Sequence, residues 1–274
     1  MGSDQTSGST GIEPSPPATL NPDTGDDSID RDLFGRPPRH HPDWSHRRGE
    51  PRVFALGWTV YLMMLTTLMF AWAGGRGIMS PESFRVSARL TMVLLLVGIT
   101  LLWPMTRLSQ AAPQRPLPST LKDLLIIALP AQALIWPHIW LCRWPVEVVA
   151  AAAAAVAIWA VAIGAILAIA WGFFGVGNTC RILAMAACVI LVVSGAVVAL
   201  VDASLAAGRT PPLAQLPWMY TPLTSIFELT RDRPWSGRSA DIGPGHLRAL
   251  VVIGALSVGG WAVAAMLPGC RFKR

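Results

Sequence analysis

The sequence predicts an all-α fold, a polytopic bundle of six membrane-spanning helices, on three observations. Six long apolar runs, 53–73, 88–106, 124–142, 146–174, 182–201 and 249–268, are separated by charged or Pro/Gly-rich breaks. Each is close to the roughly 20 apolar residues that cross about 30 Å of hydrocarbon. Composition agrees, with 53% hydrophobic and 14% charged residues, far from an ordinary soluble domain. The runs are also apolar all round rather than along one stripe, as when lipid replaces water.

Residues 1–50 differ in kind. They are rich in Gly, Ser, Pro, Asp and Arg and hold nine of the sixteen acids. With so little aliphatic content they cannot offset the entropy of ordering, and they read as a disordered cytoplasmic tail. The tail lacks the apolar core of a cleavable signal peptide. Met1-Gly2-Ser3-Asp4-Gln5-Thr6 matches the short, common myristoylation pattern. The basic stretch 36–48 around Trp44 reads as a segment on an anionic membrane surface, or as a solvated linker carrying a topology signal. Residues 51–274 then form the transmembrane domain.

Charge sets the expected orientation. Arg47, Arg48 and Arg52 precede the first span, and Arg271, Lys273 and Arg274 follow the last. The 107–122 loop carries Arg107, Arg115 and Lys122 with no acid before Asp123. By the positive-inside rule both termini face the cytoplasm. Arg76 and Arg85, against Glu82 in the outer 74–87 loop, are the dissent. The bases are scattered, which excludes a nucleic-acid-binding patch despite the net charge of +6.

Helix punctuation fits these boundaries. Ser80-Pro81-Glu82 offers an N-cap, a first-turn proline and an acid at the positive end of the helix dipole. Thr120-x-x-Asp123 resembles a capping box opening the third span. Pro145 starts the fourth and Pro268-Gly269 ends the sixth. Trp72, Trp103, Trp136, Trp140, Trp144 and Trp171 crowd the span ends as an interfacial aromatic belt. Of Pro104, Pro130 and Pro137, only Pro130, followed by Gln132, reads as a mid-membrane kink. The fourth run, 146–174, holds an unbroken Ala150–Ala155 block and exceeds a perpendicular crossing, so it is expected to tilt or protrude and to be the central packed helix. Gly254, Gly259 and Gly260 give the sixth run a comparable close-packing face. In the outer 202–246 loop, Thr221-Pro222 opens a short helix at about 222–230, read as interfacial or folded over the bundle mouth.

Polar groups inside a membrane are costly, so they mark the candidate site. Arg89, Gln132, His138, Asp202 and His246 form a candidate outer-face polar layer drawn from several helices. Three chemistries compete with simple snorkelling at separate interfaces. His138 and His246 could ligate haem, a His–Asp pair could pass a proton, and Arg89 could attract an anion. No metal site is expected, because no third ligand accompanies the histidines. Cys142, Cys180, Cys188 and Cys270 form no CxxC pair, and the topology sets Cys142 apart from the other three. No phosphate loop, nucleophile elbow or His-Glu-x-x-His is present, and no internal repeat marks an inverted-repeat transporter.

The sequence therefore fits a non-catalytic integral membrane subunit or accessory protein that binds the lipid bilayer and other subunits of a membrane complex. A six-span transport permease working with a partner ATPase or ion gradient is the alternative, and a haem- or quinone-binding redox subunit the third. The preference for Arg over Lys and the plain N-terminus point to the plasma membrane of a bacterium, the inner membrane.

Overall fold

A computed structural model of the chain describes residues 51–75, 80–110, 113, 115–174, 178–205, 216–232 and 240–267. The tail with its 36–48 stretch, Pro268-Gly269 and Cys270 lie outside the described residues. Every regular element among the described residues is helical. They run α1 (Pro51–Gly74), α2 (Pro81–Val97), α3 (Trp103–Leu108), α4 (Pro116–Ile135), α5 (His138–Leu141), α6 (Val146–Phe174), α7 (Asn178–Leu205), α8 (Pro222–Leu229) and α9 (Pro244–Met266). A π-helical stretch, Gly98–Leu102, joins α2 to α3, and a 3₁₀ turn, Leu216–Tyr220, leads into α8. Six helical segments are long and apolar enough to cross a membrane: α1, α2 through α3, α4 through α5, α6, α7 and α9.

The element ends follow from local chemistry. Ser80 caps α2 in a reciprocal box with Ser83, each hydroxyl accepting the other's backbone N–H. This start lies seven residues before the apolar run and brings Arg85 into the helix, one turn before Arg89. Pro104 has no N–H to continue an α-helical ladder, and the widened turn before it absorbs the break, with the Trp103 N–H reaching the Gly98 carbonyl. Pro130 sits inside α4, which runs on to Ile135, and the helix is interrupted at Trp136-Pro137, before α5. The Thr120 capping box is corrected. α4 already begins at Pro116, the Thr120 hydroxyl donates to the Pro116 carbonyl (2.8 Å), and Asp123 pairs with Arg107. Between α5 and α6, Arg143 takes φ 52°, a left-handed conformation uncommon outside glycine.

The 29-residue α6, about 43 Å long at 1.5 Å per residue, is the packing centre. Its spanning window is 61% buried, against 17% for α7. It touches α3, α4, α5, α7, α8 and α9. Its small residues permit this, since alanine and glycine let neighbouring backbones approach. Against α9, the Trp261 indole crosses to donate to the Val161 carbonyl (2.9 Å). A Cβ on Gly164 would meet the Trp261 ring at 2.9 Å, and one on Gly260 would meet the Ala165 Cβ at 3.0 Å. Gly254 faces Ile158 at ordinary contact distance, while Gly259 has nothing within 4 Å and takes no part in the close-packed face. At the α1–α2 crossing, the Tyr61 hydroxyl donates to the Leu94 carbonyl (2.6 Å), and a Cβ on Gly98 would lie 2.5 Å from the Tyr61 ring. The aromatic belt divides in two. Trp72, Trp136 and Trp140 are exposed, whereas Trp103, Trp144 and Trp171 are core residues.

Candidate functional site

α8 is not laid on a surface. Pro222, Thr224, Ser225, Ile226, Glu228 and Leu229 are all buried, and the helix packs against α2, α6 and α7. Thr221 stands at the N-cap, but its hydroxyl pairs with that of Thr224 rather than with a backbone N–H. Both threonines sit over Gly195 of α7, where a Cβ would come within 3.2 Å of the Thr221 hydroxyl. The burial of six of its eight residues shows that α8 is enclosed by the bundle and does not lie flat at an interface. It is stable here because the bundle surrounds it and each buried polar group finds a partner.

Two sets of side chains tie this segment down. On one flank, Arg85 and Arg89, one turn apart on α2, grip the chain just after α8. Arg85 Nη1 and Arg89 Nη2 lie 3.2 Å and 2.6 Å from the two Asp232 carboxylate oxygens. Arg89 also donates from Nε to the Thr230 hydroxyl (3.2 Å) and from Nη2 to the Thr230 carbonyl. Arg85 Nε donates to the Cys142 carbonyl (3.0 Å), joining the α5–α6 turn to the same cluster. The Arg89 guanidinium lies 6.0 Å from the Trp144 ring, and that ring stacks on His138 with centroids 6.3 Å apart.

On the other flank, Glu228 is buried between Arg231 Nη1 (3.4 Å) and His246 Nε2 (3.3 Å). His246 occupies the first turn of α9, where its Nδ1 accepts the Gly243 N–H (3.0 Å). Its other ring nitrogen, Nε2, faces the Glu228 carboxylate, so both ring nitrogens have partners.

Of the five residues read from sequence, Arg89 and His246 come to opposite flanks of α8. His138 is buried behind Trp144, its Nδ1 bonded to the Ile135 carbonyl (2.8 Å) of its own turn. Gln132 bonds instead to the Ala153 carbonyl of α6 (3.1 Å), and Asp202 belongs to the last turns of α7. Both ring nitrogens of His246 face partners, the Gly243 N–H and the Glu228 carboxylate, whereas the buried His138 Nε2 has none among the described residues. The sequence reading missed Arg85, Glu228, Thr230, Arg231 and Asp232 as site residues. A signal existed: Arg85 and Arg89 are spaced i, i+4, facing neighbours once the helix is started at Ser80, with acids waiting in the 202–246 loop.

Beside this cluster is a cleft of about 760 Å³, lined by Trp72, Val86, Arg89, Leu90, Trp218, Phe227, Arg231 and Asp232. Cys142 is a buried thiol at the same end, its pKa pushed up to about 12 by loss of solvation, against the lowering influence of Arg85 and Arg89. Among the described residues, no three His, Cys, Asp or Glu side chains gather as metal ligands would.

No protein-family profile, curated protein or solved structure matches this chain. The functional reading rests on the geometry.

Proposed function

We propose that this chain is a non-catalytic subunit or accessory protein of a larger membrane assembly, with its helices crossing the plasma membrane and both termini cytoplasmic. One observation carries the reading. The ionisable groups around α8 are bonded to one another in a pattern that fastens a loop to a bundle: Arg85, Arg89 and Asp232 on one side, Glu228 and His246 on the other. The described charged side chains of this cluster are spent on one another and on backbone carbonyls, which supports a rigid outer platform. Such a platform, held on the scaffold by its charges, is a surface a partner subunit could read.

The orientation rests on Arg52 and Arg115 on the terminal side. Arg85, the sequence's dissenting base, is tied up with Asp232 and weighs less against it. Arg107, counted for it, is likewise spent on Asp123. The test is purification of the tagged protein from its native membrane in mild detergent, with mass spectrometry and an absorption spectrum on the same eluate. A reproducible set of stoichiometric companion subunits is expected. A lone, colourless protein would overturn the subunit reading, and a Soret band would overturn the non-redox part of it.

A further inference from the structure

We propose that the cleft between α1, α2 and the α8 segment binds the anionic phosphate headgroup of a membrane phospholipid, with the upper part of an acyl chain along its apolar wall. The inference goes beyond the subunit reading and stands or falls without it.

The lining divides by chemistry. Trp72, Val86 and Phe227 are 48%, 40% and 43% exposed, and with Leu90 and Trp218 they form a wall of rings and branched aliphatics. Arg89, Arg231 and Asp232 supply the charge. A site that is mostly apolar, with a few charged groups set in its wall, selects an amphiphile rather than a fully polar solute. A volume of about 760 Å³ falls in the range of ligand-sized pockets.

The sign of the charge follows from counting what each group already holds. Arg85, Arg89 and Arg231 face two carboxylates, Asp232 and Glu228; Glu82 and Arg143 beside Arg85 offset each other, and His246 adds no negative charge. The cluster therefore keeps one positive charge in excess. Asp232 has both oxygens engaged by arginines, and Glu228 is buried behind α8 on the side of His246. Arg231 is a third exposed and meets Glu228 at 3.4 Å, a long contact for a five-donor guanidinium. An arginine fork suits phosphate oxygens in both geometry and charge. Depth agrees, because Arg89 lies eight residues into α2, about 12 Å along the axis from the helix end. A cation at that level needs an anion; Asp232 supplies the one for Arg89, while Arg231, a third exposed at the cleft, keeps donors for a lipid phosphate.

The test uses the full chain reconstituted in phosphatidylcholine vesicles. A minor fraction of the lipid is either phosphatidylglycerol or phosphatidylcholine brominated on the acyl chain, and tryptophan fluorescence is the readout. Brominated phosphatidylglycerol is expected to quench with about fivefold higher apparent affinity, the effect of one basic residue's worth of attraction. Trp72→Phe and Trp218→Phe should each remove part of that quenching. Arg231→Gln should remove the preference by charge, and Val86→Trp should remove it by filling the cleft while keeping every arginine. Two substitutions acting by different physics keep the test decisive if one fails to fold. Equal quenching by the two lipids would overturn the proposal, as would a preference that survives in whichever of the two variants folds. Displacement of the quenching by inorganic phosphate would also overturn it, since the site would then take the free ion and not the lipid.

Discussion

At the α3 end of the bundle, Arg107 meets an aspartate sixteen residues further along the chain. At the α8 end, Arg89 meets one 143 residues away. The first pair is enclosed, with side chains 5% and 2% exposed, and the Arg107 guanidinium lies over the Phe54 ring of α1 at 4.5 Å. The second is open to the cleft, at 20% and 36%, and is shared among Arg85, Thr230 and the Cys142 turn. Burial decides what each can do. The enclosed pair can only be satisfied or broken, because neither charge has water to fall back on. The open one can exchange its partners for solvent or a ligand, so it can hold a loop and still take part in binding. Arg–Asp chemistry at one end pins α3, α4 and α1 together; at the other it fastens the chain after α8 to α2.

The largest effect should come from breaking the enclosed pair. Asp123→Ala leaves a buried guanidinium with only Gln110 (2.8 Å) and the Phe54 ring beside it, and is expected to destabilise by about 3–5 kcal/mol. The readout is the melting temperature of the detergent-solubilised protein. The double substitution Arg107→Met with Asp123→Leu should recover most of the loss, because it removes both charges at similar volume. Failure of the double variant to recover would mean the pair does more than satisfy itself.

Next in size is the α1–α2 crossing, which carries the strain of close approach rather than charge. Gly98→Ala would push a methyl group into the Tyr61 ring, 2.5 Å away, and displace the Tyr61 hydroxyl from the Leu94 carbonyl. A cost of about 1–3 kcal/mol is expected, and Tyr61→Phe in the same background should relieve little of it. Gly259→Ala, with open space around it, should leave the melting temperature unchanged and serves as the control.

At the α8 end the effect should be smaller and local. Asp232→Asn removes the carboxylate from two arginines that remain partly solvated, costing about 1–2 kcal/mol. The measurable consequence is opening rather than unfolding: faster amide exchange across 222–230, with α6 and α9 unchanged. Exchange that speeds up equally in all helices would mean the clamp is part of the global core, and the contrast between the two ends would collapse.

The sequence made the spans legible because each apolar run is a long, local signal, and the alanine block made α6 legible as the centre. The polar clamp was only half legible. Arg89 and His246 stand out as charges next to apolar runs, but their partners Asp232 and Glu228 sit in a loop whose path no periodicity reveals. Arg85 looks like a loop residue because the apolar run begins three residues after it, although Ser80 already marks the helix start. Arg107 and Asp123 look like a loop base and a cap for the same reason. In each case the helix extends past its apolar stretch, and the charged turns at its ends are where long-range pairing happens. Trp103, Trp144 and Trp171 show the converse error, since position along the chain suggested an interface and only packing shows them buried.

The smallest effect concerns a single thiol, and it reports on the open clamp. Cys142 is buried beside Arg85 and Arg89, with a pKa pushed up to about 12. A raised thiol pKa keeps the protonated, unreactive form dominant near pH 8. In a protein with Cys180, Cys188 and Cys270 replaced by Ala, maleimide labelling of Cys142 in the folded state should be negligible at that pH and complete after denaturation. Arg85 holds both the Cys142 carbonyl and Asp232, so Asp232→Asn should raise the labelling rate by loosening that turn. Asp123→Asn at the far end, where enough protein remains folded, should not raise it. If both substitutions raise the rate alike, the two ends are energetically coupled through α2 and α3, and the enclosed pair helps to hold the open one.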